Sequence, residues 1–345
     1  MARAYVWIAR VKAGFVPEPN SNTLAPRRSL LLVSLFDGIG GILQAMKLLG
    51  APVDASIVCE CSRECRKVTR KAFNVSLEYV WIESIDHAVV AEWASRFGEC
   101  DVFWSAGSPC QNFSKLTGAS RLGLQGNKSY LFWHVPRIVA LLKLHFRRVR
   151  GLFENVKSMP DADFHTISAA MPDCQIVGCD AKCVTWCRRP RVYFLDNFTL
   201  DKHEDVKVIR ERRCDEFEFA CTIPKAETFL EHGSTSHLEG DARLPTFTRP
   251  IPKQCKPDYV PGWDHTSEEA KERYYANRLR YQPYQYENSF LINGSRLPSA
   301  VERERLMGFQ SNHTLSLAKS FLTKDIADHE DSRCEIGRAS CRERV

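Results

Sequence analysis

From Leu30 to Leu200, short apolar runs alternate with amphipathic stretches, and no other feature of the sequence constrains the fold as much. The apolar runs have the length of buried strands, whereas the stretches between them repeat their apolar residues at helical spacing. Such alternation predicts an α/β fold built on a parallel sheet. The expected strands are Leu31–Phe36, Ala55–Cys59, Asp101–Ala106, Leu152–Val156 and Val192–Leu195.

Two of the intervening stretches give definite helix predictions. Apolar residues at helical spacing occupy Ile42–Leu49, and Gly50 with Pro52 should end that helix. A second helix is expected over Ser129–Leu144. Pro136 should kink or interrupt it, because proline lacks the N–H that an interior helical bond needs.

The sequence changes character near Leu200. Residues 201–290 combine proline, tyrosine and charge with little periodicity, and Arg273–Tyr286 alone holds five tyrosines and three arginines. The last eleven residues resemble a translated sequencing adaptor and are excluded from the fold prediction. The expected parts are a poorly ordered lead-in (1–28), a first domain (29–200), a loop-rich second domain (201–290), a return to the first domain (291–334) and a foreign tail (335–345).

Composition narrows the class of protein only slightly. The 345 residues carry a net charge of +6, which permits a nucleic-acid partner without requiring one. No stretch is apolar enough to predict a membrane span. The fourteen cysteines, without an export signal, predict reduced thiols rather than disulfides. Two cysteine clusters lack the paired spacing of a zinc site, so no metal is expected: Cys59, Cys61 and Cys65, and Cys174, Cys179, Cys183 and Cys187.

A glycine-rich turn follows the first expected strand. The segment Phe36–Gly41 reads Phe-Asp-Gly-Ile-Gly-Gly, and its glycines let the backbone approach a ligand closely. Glu60 follows at the distance where an acid usually holds a ribose hydroxyl. The glycine spacing favours a cofactor bound through ribose and amino-acid groups over one that needs a pyrophosphate cradle. A tight structural turn explains the glycines equally well.

Cys110 is the first candidate for chemistry. It follows the expected strand Asp101–Ala106, in a loop at the strand's carboxyl end, where open α/β sheets bind ligands. Pro109 fixes the backbone just before the thiol, and we expect the loop to expose the sulfur as a nucleophile requires. By counting alone, an inert thiol among fourteen is the more common case.

Glu154 and a pair of arginines are the other candidates. Glu154 interrupts an apolar strand, and a buried carboxyl favours its protonated form and can donate a proton near neutral pH. A structural pair with an arginine is the alternative. Arg189 and Arg191 alternate at the start of a strand, so they should share one face and suit a carbonyl oxygen or a phosphate. A solvated basic edge is the alternative.

In combination, these residues resemble the C5-cytosine-specific DNA methyltransferase family, and more weakly its de novo type through Arg121–Phe132. The resemblance covers 30–200 and 290–334, most of the chain. The segments similar to that family's motifs are Phe36–Gly41, Gly107–Gln111, Phe153–Val156, Arg189–Arg191, and Arg296 with Glu304–Phe309. The site residues it implies are catalytic Cys110, Glu154, Arg189 and Arg191, and cofactor-binding Phe36, Asp37, Gly38, Ile39, Gly40 and Glu60.

The resemblance also implies a fold and a mechanism. The fold is a Rossmann-like S-adenosylmethionine-dependent methyltransferase with a small inserted target-recognition domain, and the partner is duplex DNA with a flipped-out cytosine. The Cys110 thiolate adds to C6 of the base, while Glu154 hydrogen-bonds or protonates N3. Arg191, helped by Arg189, holds O2, and C5 takes the methyl group. A nuclear location follows from the DNA substrate alone.

Two departures from the family pattern leave alternatives open. The acid that contacts adenine is either Glu83 or Asp86, because the usual glycine–aspartate pair is missing. The family's final glycine–asparagine–serine motif has no match after Phe309, so we expect a chain truncated at its C-terminus that binds cofactor weakly. A tRNA cytosine-5 methyltransferase and a catalytically silent, DNA-binding regulatory homologue are the competing functions.

Overall fold

A computed structural model describes six stretches of the chain and three single positions. Arg121, Arg296, the expected lead-in before Arg28, the tail and most of 201–290 lie outside them. By its contacts the chain forms two compact units, of which the first comprises Met1–Asp180 with Pro190–Ala220 and the second Ala181–Arg189 with Cys221–Val345. The described residues are 28–113, 122–198, 206–211, 213–219, 224–236, 298–315 and the single positions 243, 268 and 272.

The described part of the first unit is built on one sheet. Its strands are β1 Leu30–Leu35, β2 Ala55–Cys59, β3 Leu77–Tyr79, β4 Asp101–Ala106, β5 Val149–Val156, β6 Cys174–Asp180, β7 Pro190–Asp196, β8 Val206–Ile209 and β9 Asp215–Phe219. Their order in the sheet is β3-β2-β1-β4-β5-β7-β6-β9-β8. All six residues of β1 are buried, because a central parallel strand has other strands on both edges and helices on both faces. The predicted strands therefore form the core of this unit.

Helices alternate with the strands as the sequence predicted. None of the helices in the described ranges is long and apolar enough to cross a membrane. In the first unit they are α1 Gly41–Leu48, α2 Arg63–Ala72, α3 His87–Phe97, α4 His134–His145 and α5 Asp161–Ala170, and the second unit has α6 Ala300–Leu306.

The expected parallel arrangement of the sheet does not extend to β7. This strand runs antiparallel to both of its neighbours, β5 and β6, whereas the strands from β3 to β5 are all parallel. Only the nine residues 181–189 separate the end of β6 from the start of β7. A parallel return needs a crossover of a dozen or more residues, so this short connection forces the chain to reverse.

The expected interruption of the Ser129–Leu144 helix is present, just before Pro136. A short 3-10 turn, Ser129–Trp133, precedes α4, which begins at His134. Pro136 is therefore in the first turn of α4, where an N–H would have no intrahelical partner to lose. The interruption that the sequence suggested lies before the proline.

Two strands extend the first sheet from a segment that was expected in the second domain. β8 and β9 pair with each other antiparallel, and β9 pairs parallel with β6. The domain boundary expected after residue 200 stays a prediction.

The second unit contains the segment that resembles the motif after the recognition region. Glu304 on α6 is fully buried, and its Oε1 accepts hydrogen bonds from the backbone N–H (2.8 Å) and the hydroxyl (2.5 Å) of Thr314. The hydroxyl of Thr185 donates to the carbonyl of Leu306 at 2.6 Å. These contacts fix the turn after α6 within this unit.

Gly151 of β5 packs closely against the neighbouring strand β4. It pairs with Trp104 of β4, and a Cβ at this position would lie 2.2 Å from the Trp104 carbonyl oxygen and 2.4 Å from its ring. We expect Gly151→Ala to lower the free energy of unfolding by about 2–3 kcal/mol, because the sheet backbone cannot move aside cheaply. Urea unfolding measures this. Gly41→Ala is the control, since a Cβ there meets nothing within 4 Å, and equal stability of the two variants would contradict the prediction.

Candidate active site

Several candidate site residues come one position after a row of residues that pair with one another across the sheet. Leu35 of β1 pairs with Cys59 of β2 and with Ala106 of β4. Ala106 in turn pairs with Phe153 of β5. Parallel strands end at the same edge of a sheet, where open α/β folds bind ligands. The residues that come directly after the row are Phe36, Glu60, Gly107 and Glu154.

The turn after β1 is held in an unusual backbone conformation. Phe36 has a φ of 58°, and Gly38 and Gly40 have φ values of 64° and 80°. A non-glycine residue in this left-handed region costs about 1–3 kcal/mol, and such strain concentrates at functional sites. The turn persists because the Asp37 carboxylate accepts hydrogen bonds from the hydroxyls of Ser34 (2.6 Å) and Thr69 (2.9 Å).

Part of this turn also serves packing. Ile39 is 2% exposed and lies in the core. A Cβ on Gly40 would come within 2.6 Å of the Phe73 ring, so the glycine lets the end of α2 pack closely. The structural explanation of the glycines therefore holds for Gly40.

Glu60 lies buried beside the turn. One carboxylate oxygen accepts from the Gly38 N–H at 3.0 Å, and the other accepts from the Ser62 N–H at 2.8 Å. These bonds fix the carboxylate at the carboxyl edge of the sheet, next to a backbone that turns tightly. The oxygens of a buried carboxylate in this place can accept hydrogen bonds from the hydroxyls of a ribose, so Glu60 fits the ribose of S-adenosylmethionine.

Cys110 lies close to the end of β4 but is not exposed as predicted. Its exposure is 4%, and it packs in the main hydrophobic cluster. The N–H of the fully buried Phe113 donates to the Cys110 carbonyl at 2.9 Å. Upstream, the Asn155 amide of β5 donates to the hydroxyl (3.2 Å) and the carbonyl (3.4 Å) of Ser108. The thiol therefore sits in a fixed turn at the ligand-binding edge of the sheet.

Other thiols are poor nucleophiles for a physical reason. Burial raises the pKa of Cys174 and of Cys187 to about 12, and burial also raises the pKa values of Cys100 and Cys214. Thiols of this kind stay protonated at neutral pH, and the thiolate is the reactive form.

Glu154 forms an ion pair with Arg191. The arginine Nε lies 2.6 Å from the glutamate Oε1, and both side chains are largely buried. Glu154 pairs with Tyr193 across the antiparallel strands, so Arg191 is its diagonal neighbour on the same face. The alternative of an arginine partner for Glu154 therefore holds, but the partner is itself a predicted site residue.

The Glu154 carboxylate also lies against the loop of Cys110. A Cβ on Gly107 would be 3.2 Å from Glu154 Oε2, tighter than an ordinary contact. Glycine at this position therefore leaves room for the acid beside the backbone that leads to Cys110.

The two arginines do not form a solvated edge. Arg189 and Arg191 are 6% and 5% exposed. β7 begins at Pro190, so only Arg191 lies within the strand, contrary to the alternation expected for both. Arg189 belongs to the second unit, where its carbonyl accepts from the Ala181 N–H at 3.2 Å.

The two candidate acids for an adenine contact have other partners. Asp86 caps α3 by accepting from the Val89 N–H at 2.9 Å. Glu83 accepts from the Tyr130 hydroxyl at 3.4 Å. Both are exposed, and the choice between them stays open.

Sequence reasoning gave no role to several residues that build the site. Asn155 holds the Cys110 turn, while Ser34 and Thr69 hold the glycine turn. Asn155 had a signal, since an amide within an apolar strand needs partners when it is buried. Thr69 had no such signal in the sequence, because the residue it bonds, Asp37, lies 32 positions away.

Comparisons with known proteins show what parts of the chain are similar to. Residues 30–172 match the family model of the C-5 cytosine-specific DNA methylase. The chain is 28% identical over 135 residues to DNA (cytosine-5)-methyltransferase DRM1A of Oryza sativa subsp. japonica, a match that covers 36% of this chain and 28% of that protein. It is 26% identical over 122 residues to DNA (cytosine-5)-methyltransferase DRM2 of Arabidopsis thaliana, covering 34% and 19%. The matches thus span less than a third of either relative.

A solved structure supports the fold. The methyltransferase EhMeth of Entamoeba histolytica superposes with a TM-score of 0.51 at 14% identity, covering 89% of this chain and 92% of that one. The predicted fold class, a Rossmann-like α/β fold, is confirmed. The family match over 30–172 indicates S-adenosyl-L-methionine as the cofactor. The glycine turn, Glu60, Cys110 and Glu154 all lie within residues 30–172, the part of the chain that matches the C-5 cytosine-specific DNA methylase family model.

Proposed function

We propose that this protein is a DNA (cytosine-5)-methyltransferase that transfers a methyl group from S-adenosylmethionine to C5 of a flipped-out cytosine. One observation carries the proposal. The strained turn after β1, Glu60, the Cys110 loop and the Glu154–Arg191 pair all lie at one edge of one sheet. The family match over 30–172 supports it.

The cofactor is assigned to the side of the edge formed by β1 and β2. We propose that Glu60 accepts hydrogen bonds from the ribose hydroxyls. The backbone of Phe36–Gly40 would lie along the amino-acid part, where its left-handed residues bring the main chain close. When bound, S-adenosylmethionine supplies an electrophilic methyl group.

Glu60→Gln tests this assignment. Hydrogen bonds to a charged group contribute about 1.5–3 kcal/mol, so S-adenosylmethionine should bind roughly 10- to 100-fold more weakly, measured by titration calorimetry. Thermal unfolding separates this effect from loss of the Gly38 and Ser62 bonds. Glu92→Gln, at an exposed carboxylate on α3, should bind as the wild type does. An unchanged affinity in Glu60→Gln would remove Glu60 from the cofactor site.

The chemistry is assigned to the side formed by β4, β5 and β7. Cytosine C5 is too weak a nucleophile to take the methyl group unaided. Attack of the Cys110 sulfur on C6 forms a C–S bond and moves the C5=C6 electron pair onto the ring. Glu154 at N3, by a hydrogen bond or a proton, and the Arg191 guanidinium at O2 stabilise that charge.

The same groups complete the reaction. The electron pair at C5 would form the bond to the methyl group as the methyl–sulfonium bond breaks, with S-adenosylhomocysteine as the leaving group. A base then removes the C5 proton, and the electron pair of that C–H bond restores the C5=C6 bond. The thiolate of Cys110 leaves in the same elimination. Arg189 is proposed to help Arg191 at O2.

The proposed partner is duplex DNA. A base within the stack cannot reach Cys110, so the cytosine must be flipped out. The tyrosine- and arginine-rich segment 243–286 is the proposed phosphate contact, and its residues other than 243, 268 and 272 lie outside the described ranges. A role in epigenetic DNA methylation in the nucleus follows from this substrate.

Covalent trapping tests the function as a whole. The protein is mixed with S-adenosylmethionine and duplex DNA that carries 5-fluorocytosine, since fluorine at C5 blocks the final elimination. A denaturation-resistant complex that is absent in Cys110→Ala establishes the nucleophile, the substrate and the reaction together. Trapping only on a fluorinated tRNA would assign the activity to RNA. DNA binding without any adduct would favour a silent homologue.

A further inference from the structure

Asn112, two residues after Cys110, joins two distant parts of the chain. Its carbonyl accepts a hydrogen bond from the Gly123 N–H at 3.2 Å. Its side-chain oxygen accepts from the Ser129 hydroxyl at 2.9 Å, and Ser129 is fully buried. Asn112 therefore fixes the chain just after Cys110 against residues 123–129.

Gly126 leaves the space that the Asn112 side chain needs. A Cβ on Gly126 would lie 2.1 Å from Asn112 Cγ and 2.3 Å from its side-chain oxygen. The φ of Gly126 is −68°, which any residue adopts, so the backbone itself does not require glycine here. The glycine is needed because the Asn112 amide lies directly against its Cα.

A second hydrogen bond, to Asp163 of α5, also fixes residues 123–129. Asp163 accepts a hydrogen bond from the Leu124 N–H at 2.9 Å. Gly123 has a φ of +54°, and a Cβ there would come within 2.3 Å of the Asp163 carboxylate. Leu124 and Phe113 both pack in the main hydrophobic cluster. Residues 123–129, to which Asn112 is hydrogen-bonded, are therefore themselves fixed to the core.

We infer that Asn112 is a positioning residue for the Cys110 nucleophile, an inference that rests on the proposed function. Asn155 holds the chain before Cys110 through Ser108, and the Asn112–Ser129 bond holds it after. Both must act for the sulfur to meet C6 of the base along a fixed direction. A misplacement of about 1 Å costs on the order of 100-fold in rate.

The test is a double-mutant cycle in the rate of covalent trapping on 5-fluorocytosine DNA. Asn112→Ala and Ser129→Ala should each slow adduct formation roughly 10- to 100-fold with the affinity for S-adenosylmethionine unchanged. The double variant should be no slower than the worse single variant, because both remove the same bond. Ser95→Ala, which loses an exposed serine bond on α3, should trap at the wild-type rate.

Hydrogen exchange gives a readout that needs no catalysis. In Asn112→Ala the amides of 107–113 and 123–126 should exchange faster than in the wild type, while those of β1 stay protected. Asn112→Asp keeps an acceptor oxygen for Ser129 and should restore most of that protection. Unchanged exchange in Asn112→Ala would overturn the inference.

The outcomes separate the inference from the function beneath it. If the wild type traps and Asn112→Ala traps equally fast, the positioning role is wrong and the function stands. If the wild type forms no adduct with DNA, both the proposed function and the inference are wrong.

Discussion

Cys110→Ala should lower the rate of cytosine methylation at least about 1,000-fold and leave the affinity for S-adenosylmethionine within about twofold. Without the sulfur there is no bond to C6, so the ring gains no electron density at C5. The cofactor should be unaffected because its assigned residues follow β1 and β2, whereas Cys110 follows β4. Methyl transfer from labelled cofactor to duplex DNA and calorimetric binding measure the two quantities.

Cys174→Ala is the matched control for this result. Cys174 also packs beside the core, but burial raises its pKa to about 12, so it is not a nucleophile at neutral pH. Its replacement should leave turnover unchanged. If Cys110→Ala instead lost cofactor binding and folding together, Cys110 would be a structural thiol of the hydrophobic cluster.

The sequence predicted the central strands well for a physical reason. Strands buried on both faces appear as continuous apolar runs, and Ala55–Cys59 and Asp101–Ala106 have the bounds expected for them. The polar residues of the site stand just beyond such runs, so the edge of the sheet could be located before any contact was known.

Contacts across the sheet could not be predicted in this way. The direction of β7 depends on the short connection from β6, a strand whose apolar residues are separated by Gln175 and Gly178 and which the sequence did not predict. The Glu154–Arg191 pair exists only in that antiparallel register. Cys110 is buried in a hydrophobic cluster whose members come from many parts of the chain, which no local pattern encodes.

Glu154→Gln should reduce turnover about 100- to 10,000-fold, the usual contribution of a positioned acid or base. It should also lower the free energy of unfolding by about 3 kcal/mol, because removing one charge of a buried pair leaves the Arg191 guanidinium without its compensating charge. Binding of duplex DNA should change little, since phosphate contacts dominate that affinity.

The double variant Glu154→Gln/Arg191→Met separates the two roles of the pair. It removes both buried charges, so most of the stability lost in Glu154→Gln should return in urea unfolding. Activity should not return, because neither N3 nor O2 of the base then has its partner. Recovery of activity together with stability would mean that Glu154 acts only by neutralising Arg191. Normal turnover in Glu154→Gln itself would remove the acid from the mechanism, whereas a stable but inactive double variant would place both residues at the reacting base.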